Sequence, residues 1–323
     1  MDNLLYPLKF VPILKDKIWG GEKLKEQLNK ASHSKQVGES WEISTVPGDI
    51  SVVANGKLKG ESLQTLLNNH TRFLIGDKNH KRFGNEFPLL IKFIDAKKDL
   101  SIQLHPEDKL AKERHNSFGK TEMWYVLQAD KDANLIVGFN QNMDEETYLK
   151  HLETKTLPKI LNFDKVKAGN VYFIEAGRIH AIGAGVLLAE IQQTSDVTYR
   201  VYDWDRVDDE GNERKLHNEI AIDAFKFNMK DDFRIEYEKR ENVSNSMVSC
   251  PFFTTNYLEI NTIIKKKNNH DSFIIYMCLD GDLEISTSSS TEKIIKGETV
   301  LLPAAFKDYT LKSSAAKLLE VYV

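Results

Sequence analysis

The stretch Leu100-Ser101-Ile102-Gln103-Leu104-His105-Pro106 decides how the rest of the chain is read. On an extended strand, side chains two apart leave the same face, so Gln103 and His105 point one way together. Working outward, Glu122 follows in Gly119-Lys120-Thr121-Glu122-Met123-Trp124-Tyr125, and His180 in Glu175-Ala176-Gly177-Arg178-Ile179-His180-Ala181. An amide oxygen, two imidazoles and a carboxylate could close around one divalent metal and leave a position for water or substrate. Each part alone has a plainer reading. A His-Pro pair is commonly a turn, a glutamate opening a strand is commonly solvated, and a histidine after glycine is more often a hydrogen-bonded structural residue. The shared parity of Gln103 and His105, with Glu122 opening the next strand and His180 at a turn after an apolar strand, argues for the metal. Mixed nitrogen and oxygen donors suit zinc, and also Fe(II), Mn, Co or Ni.

The surrounding chain reads as short strands. Residues 1–60 are strands and turns, with Trp19-Gly20-Gly21 marking one turn. Ser62 is placed to cap a helix running to about Asn69. Residues 87–94 form a mostly buried strand, and two more strands, 123–127 and 134–139, flank a turn at 130–132. Asn142 and Glu145 resemble a capping box ahead of a helix with Tyr148, Leu149 and Leu152 on its apolar stripe. Residues 187–204 form a long extended segment, and 207–240 are charged and irregular, with a short helix near 219–225. From about residue 247 the chain is strand-rich again. Gly169-Asn170-Val171-Tyr172-Phe173-Ile174-Glu175-Ala176 can be laid over Gly297-Glu298-Thr299-Val300-Leu301-Leu302-Pro303-Ala304, a register that puts His180 on Asp308. Coincidence between two strand-turn segments is the alternative. The expected fold is mainly β: two antiparallel jelly-roll barrel units with a few short helices, residues 1–240 and 241–323, the second without the metal set. A barrel suits a site of distant residues, because inward positions on several strands converge on one cavity.

Composition narrows the function classes. A chain of 323 residues, 41% hydrophobic and 28% charged, is that of an ordinary globular protein with a large core. A net charge of −4 gives no support for nucleic-acid binding. Two cysteines make neither a disulfide framework nor a zinc ribbon. With no leader-like start and no apolar run near ~20 residues, the expectation is a cytoplasmic protein with no membrane partner.

The segment 187–204 carries a second signal. If it stays regular, Glu190, Gln192, Thr194, Asp196, Thr198, Arg200 and Tyr202 share one face. Such a polar row is wrong for a core and right for a sugar pocket, or else it is the solvent side of an edge strand. Lys120, two residues before Glu122, is either near the metal mouth or a surface lysine in a turn.

Together these residues resemble the type I mannose-6-phosphate isomerase family, also called phosphomannose isomerases, which has the cupin fold. The resemblance rests on Phe87-Pro88-Leu89-Leu90-Ile91-Lys92, on the stretches around Gln103, Glu122 and His180 quoted above, and on Glu190 to Trp204. It runs from about residue 7 to 323 and looks like the shorter bacterial branch, with no long helical insertion. It implies zinc, one ion per chain, on Gln103, His105, Glu122 and His180. It implies an active-site arginine at Arg200, pocket roles for Lys120, Glu190 and Asp196, a hexose phosphate substrate, and a degenerate second cupin unit at 247–323. Monomer and homodimer stay equally open.

The reaction so implied interconverts mannose 6-phosphate and fructose 6-phosphate through a cis-enediol. It needs charge fixed beforehand against the enediolate and a group that shuttles the proton. Arg200 supplies the fixed cation. Glu190 is the first choice as base, ahead of Asp196 and Lys120, and Lys120, Arg178 and Lys92 are the phosphate-binding candidates in that order. Trp19, Trp41 and Trp124 are either an apolar wall against the sugar or core residues. Two rivals remain at this level: a metal-binding cupin that senses sugar without catalysis, and an Fe(II) oxygenase, which the fourth protein ligand Gln103 disfavours.

Overall fold

Leu89, Ile91 and Phe93 alternate with Leu90, Lys92 and Ile94 along the strand Leu89–Ala96, and all six are buried. A strand covered on both faces belongs to the middle of a layered structure. In the computed structural model, which describes residues 6–207, 210–227 and 232–323, this strand lies inside a six-stranded antiparallel sheet. Its order is Val171–Ile174, Glu122–Ala129, Val186–Gln193, Leu89–Ala96, Val37–Ile43 and Ile13–Gly21. One face of this sheet, through Ile91, Phe93, Met123, Ala189 and Ile191, joins a large core shared with the C-terminal sheet. The other, through Ile94, Trp124, Val126 and Leu188, packs on Leu135, Val137 and Ile182 of a second, five-stranded sheet.

The five-stranded sheet runs Leu161–Lys165, Asn134–Phe139, His180–Ile182, Ile102–Leu104 and Tyr199–Tyr202. Its outer face, with Ile102, Leu104, Ile179, Ala181, Tyr199 and Val201, is covered by Tyr148, Leu152 and Ala221 from helical segments. The period of two therefore sends Gln103, His180 and Arg200 to the inner face.

The long segment expected at 187–204 is not one strand. The chain leaves the six-stranded sheet after Gln193, bends through 194–198, and enters the five-stranded sheet at Tyr199. Gln192 builds the bend, its amide nitrogen donating to the carbonyls of Gln193 and Ser195 at 2.9 and 2.7 Å. A buried amide that satisfies bend carbonyls is scaffold, so the single polar face does not form.

Other local expectations shift by a few residues. Ser62 does cap its helix, accepting from Thr65 N; the backbone leaves helical geometry at His70 (φ −140°), next to the expected end at Asn69, and a second helical stretch with Leu74 and Ile75 buried carries on to Ile75. Asp144, not Asn142, caps Glu145–Glu153, accepting from Thr147 N at 2.8 Å. The expected short helix near 219–225 is Asn218–Ala221 followed by a 3-10 turn, while residues 208, 209 and 228–231 of the charged stretch lie outside the described residues.

The C-terminal strands form a nine-stranded sheet around the long strand Ile274–Ser286, and Leu8–Lys9 from the chain start pairs with Thr299–Leu302 in it. The same turn is built twice. Gly169 (φ +87°) donates to Val126 O while Val126 N donates to Asn170 O; Gly297 (φ +86°) donates to Cys278 O while Cys278 N donates to Glu298 O. Both glycines sit in the left-handed region that side chains avoid. Asp308, which the overlay sets against His180, is exposed.

The interior here holds Glu320 instead of a histidine set. It accepts from Tyr276 OH at 2.8 Å, Ser244 Oγ at 2.6 Å and Asn256 Nδ2 at 3.0 Å, and pairs with Lys266 at 2.8 Å. Burial works to raise its pKa, but Lys266 and these hydrogen bonds outweigh it, and the carboxyl lies below its ordinary value. A depressed folded pKa means the contribution is complete above the unfolded value of about 4.3 and is lost as pH falls through the folded one. We expect Glu320→Gln to lose about 2 kcal/mol at pH 7, measured by urea unfolding, with the gap to wild type closing below about pH 4. A gap that is constant with pH would exclude the carboxylate as its origin.

Candidate active site

Each sheet contributes one transverse row. In the five-stranded sheet Gln103 is in register with His180 on one side and with Arg200 on the other. In the six-stranded sheet Glu190 is in register with Lys92 and with Trp124. Glu122, two residues before Trp124, shares its face. Between the rows lies a cavity of about 400 Å3 whose walls include Gln103, His180, Lys120, Glu190, Asp196 and Arg200. All three of Trp19, Trp41 and Trp124 line it as well as being buried, so the wall and the core readings both apply.

His105, Glu122 and His180 are fully buried and offer ligand atoms that all lie within 4.8 Å of one another. Among the described residues this is the one such group. His105 Nδ1 donates to Val197 O and His180 Nδ1 to Arg178 O, both at 2.8 Å. That fixes the tautomer and leaves each Nε2 lone pair facing Glu122, at 3.7 and 3.5 Å. The amide end of Gln103 is 3.5 Å from His180 Nε2, and a half-turn of the amide presents its oxygen to the same point.

The electrostatics favour a cation there. Both Glu122 oxygens are buried without a hydrogen-bond partner, although Lys120 Nζ stands 3.3 Å from one. Burial pushes this carboxyl up to about 7 against the pull of Lys120. Burial likewise lowers His180 to about 4 and His105 well below its ordinary value, aided in both by Lys120, so both imidazoles are neutral near pH 7. Two neutral imidazoles, an orphaned carboxylate and an amide oxygen fit a borderline divalent metal.

Glu190, the first choice as base, has a donor on each oxygen. Its oxygens accept from Lys92 Nζ at 3.0 Å and from Trp124 Nε1 at 2.9 Å. Burial would raise it, but the ammonium groups of Lys92 and Lys120 bring it to about 2. So acidic a carboxyl with both oxygens engaged is a poor base. Lys92 is committed to this pair, and Lys120 to His105 Nε2 at 3.1 Å and to Glu122. Arg178 is not among the cavity walls. Its guanidinium lies over the Phe233 ring at 5.0 Å and faces Glu175, which removes support for a phosphate contact there. What Arg178 gives the site is its carbonyl, the acceptor for His180 Nδ1.

Arg200 is held as a fork, Nε donating to Ser101 Oγ at 3.2 Å and Nη1 to Lys215 O at 3.0 Å. Burial lowers its basicity, with Arg214 adding to the effect. Asp196 lines the cavity on the bend between the sheets, exposed and with no side-chain hydrogen bond among the described residues. The sequence reading missed Lys15, Lys17, Glu39, Asp49 and Arg214, which complete the walls. The first four sit on strands or turns with no motif around them, and Arg214 falls in the charged stretch set aside as irregular.

Comparisons with known proteins agree on one family. Residues 7–134 match the model for the catalytic domain of phosphomannose isomerase type I, and residues 243–323 match the mannose-6-phosphate isomerase cupin domain. The chain is 33% identical over 312 residues to mannose-6-phosphate isomerase ManA of Bacillus subtilis, covering 96% of each. It is 34% identical over 304 residues to the mannose-6-phosphate isomerase of Streptococcus mutans, covering 94% of each. The crystal structure of the Bacillus subtilis mannose 6-phosphate isomerase superposes with a TM-score of 0.89 at 32% identity, over 99% of this chain and 100% of that one. The chain therefore belongs to the type I mannose-6-phosphate isomerase family of enzymes.

Proposed function

We propose that this chain interconverts mannose 6-phosphate and fructose 6-phosphate through a cis-enediol, with one zinc ion held by Gln103, His105, Glu122 and His180. Support comes from the meeting of the His105, Glu122 and His180 ligand atoms beside a cavity that also holds Arg200, in a chain of this family. When bound, the divalent ion would supply Lewis-acid stabilisation of sugar oxygens. The protein's own residues do the rest. Arg200 presents a fixed planar cation to the charge that develops on the substrate, and its rigid setting avoids reorganisation during the reaction. Lys92 and Glu190 form a buried pair that orients the Trp124 ring against the sugar. Lys120 places a second cation next to the reacting end.

With Glu190 held ionised at about 2, the proton carrier passes to Asp196, next in order. It faces the cavity with both oxygens free of side-chain donors among the described residues. Asp196→Asn should lower kcat about 10²–10⁴-fold while bound metal is retained. Near-normal kcat in that variant would return the role to Lys120.

The fold reading is part of the same proposal. We divide the chain into two cupin-type units, 1–240 and 241–323, the second having kept the glycine turn and lost the metal set. The doubled turn and the separate match of residues 243–323 support it. A cytoplasmic location agrees with two cysteines that stay unpaired and with the absence, among the described residues, of a helix long and apolar enough to cross a membrane.

The decisive test is a coupled assay with mannose 6-phosphate. Turnover that a chelator abolishes and added zinc restores is the expected result. Binding without turnover would favour a sugar sensor, and consumption of oxygen would favour an oxygenase.

A further inference from the structure

Among the described residues, the cavity mouth on the Arg200 side carries more positive charge than the one guanidinium, Arg200, given to the reaction. Arg200, Arg206 and Arg214 gather here around one buried carboxylate, Asp203. Arg214 donates from Nε to Asp203 Oδ2 at 2.6 Å and from Nη2 to Oδ1. Arg206 donates to the same Oδ1 and, from Nη1, to Asp99 O at 2.6 Å. Arg200 makes no salt bridge among the described residues; its partners are a hydroxyl and a carbonyl. Among the described residues, three guanidinium groups and one carboxylate leave the cluster at +3 − 1 = +2. Across the mouth, Lys15 and Lys17 each have a carboxylate of their own, Asp49 and Glu39, so that side is neutral.

Of the three arginines, Arg200 and Arg214 face the cavity. Two like charges held side by side repel, and Arg214 contributes to the lowered basicity of Arg200. Such an arrangement is stabilised when an anion enters between them. The segment after Arg214 is built for this juxtaposition. Lys215 O receives Arg200 Nη1, His217 N donates to Arg200 O at 2.7 Å, and Arg200 N donates to His217 Nδ1 at 3.1 Å.

We propose that Arg214 is a substrate-binding residue that takes the phosphate of the sugar, and that Asp203 is the positioning residue that holds it there. This rests on the isomerase reading. A hexose 6-phosphate has its reacting carbons at one end and its phosphate at the other. The row His180, Gln103, Arg200 spans two strand spacings, about 9–10 Å, from the metal set outward, and Arg214 lies beside its outer end. A phosphate monoester carries about −1.5 to −2 at pH 7, and with Arg200 given to the developing charge, Arg206 and Arg214 against Asp203 still leave +2 − 1 = +1 to receive it. Arg214 uses Nε and Nη2 on Asp203, which leaves Nη1 without a protein partner among the described residues. Arg206 has both edges engaged with Asp203 and the Asp99 carbonyl and stays behind the wall. Asp203 thus turns a flexible side chain into a preset donor.

The test is steady-state kinetics with mannose 6-phosphate, with inorganic phosphate as competitive inhibitor, on Arg214→Met, Arg214→Lys and Asp203→Asn. Arg214→Met should raise KM and the phosphate inhibition constant together, at least about tenfold, with a smaller fall in kcat. Arg214→Lys should recover part of that loss, and Asp203→Asn should reproduce a weaker form of it. Wild-type KM and wild-type phosphate inhibition in Arg214→Met would overturn the proposal. A wild-type protein with no isomerase turnover would sink the isomerase reading instead. The arginine claim is then decided by calorimetry with inorganic phosphate, where equal binding to wild type and Arg214→Met overturns it and binding lost in the variant upholds it.

Discussion

Replacing His180 by alanine should remove bound metal and turnover in one step, with kcat/KM down by about 10⁴-fold or more and a folded protein left behind. The ring sits in the middle strand of three, between Gln103 and Val137 in register, and its Nε2 faces Glu122. No other imidazole among the described residues stands close enough to replace it. Alanine leaves a two-residue remnant, His105 and Glu122, with Gln103 as a weak third donor, too few for tight binding of a four-coordinate ion. The strand itself should survive, because its neighbours Ile179, Ala181 and Ile182 keep their cores on either side. Metal content by elemental analysis, turnover in the coupled assay and a melting curve are the three readings. A fully active variant with one zinc per chain would show that the ligand set is wrong.

Arg200→Ala should separate what His180→Ala removes together. Bound metal should stay at wild-type stoichiometry, since the metal set lies on other side chains, while kcat falls by about 10²–10³-fold. Its guanidinium is held at two points, by Ser101 Oγ and Lys215 O, so its orientation is preset. Lysine can keep the charge but cannot donate from both edges of a plane, so Arg200→Lys should recover little of the loss. Rescue to near wild type by lysine would reduce the role of Arg200 to bulk charge. Normal kcat in Arg200→Ala would remove it from the mechanism altogether.

Particular residues show where the sequence was enough. The two-residue spacing of Gln103 and His105 was readable, because parity on a strand depends only on local backbone geometry. The buried strand around Leu89 and Phe93 and the cap at Ser62 were legible for the same reason. The glycine turns at Gly169 and Gly297 could be matched by eye, since left-handed backbone needs glycine whatever surrounds it. The capping of Glu145–Glu153 was misread by two residues, because Asn142 and Asp144 offer equivalent side-chain oxygens and only the path of the chain selects one.

Glu190 and Arg200 mark the limit. Counting by twos put them on one face of one strand, and the bend at 194–198 puts them on facing sheets. The period of two says which side of its own strand a residue leaves, and nothing about which sheet that strand joins. The sequence by itself therefore determined the mainly β character and named the candidates, the metal-ligand set from spacing and Arg200 through the family resemblance. The tertiary structure decided that Glu190 belongs to Lys92, that Arg178 turns away to Phe233, and that Arg214 comes to the cavity. Protonation followed the same division: ordinary pKa values belong to residue types, while burial and neighbouring charge, which spread Glu122 and Glu190 to about 7 and about 2, exist only once distant strands have met.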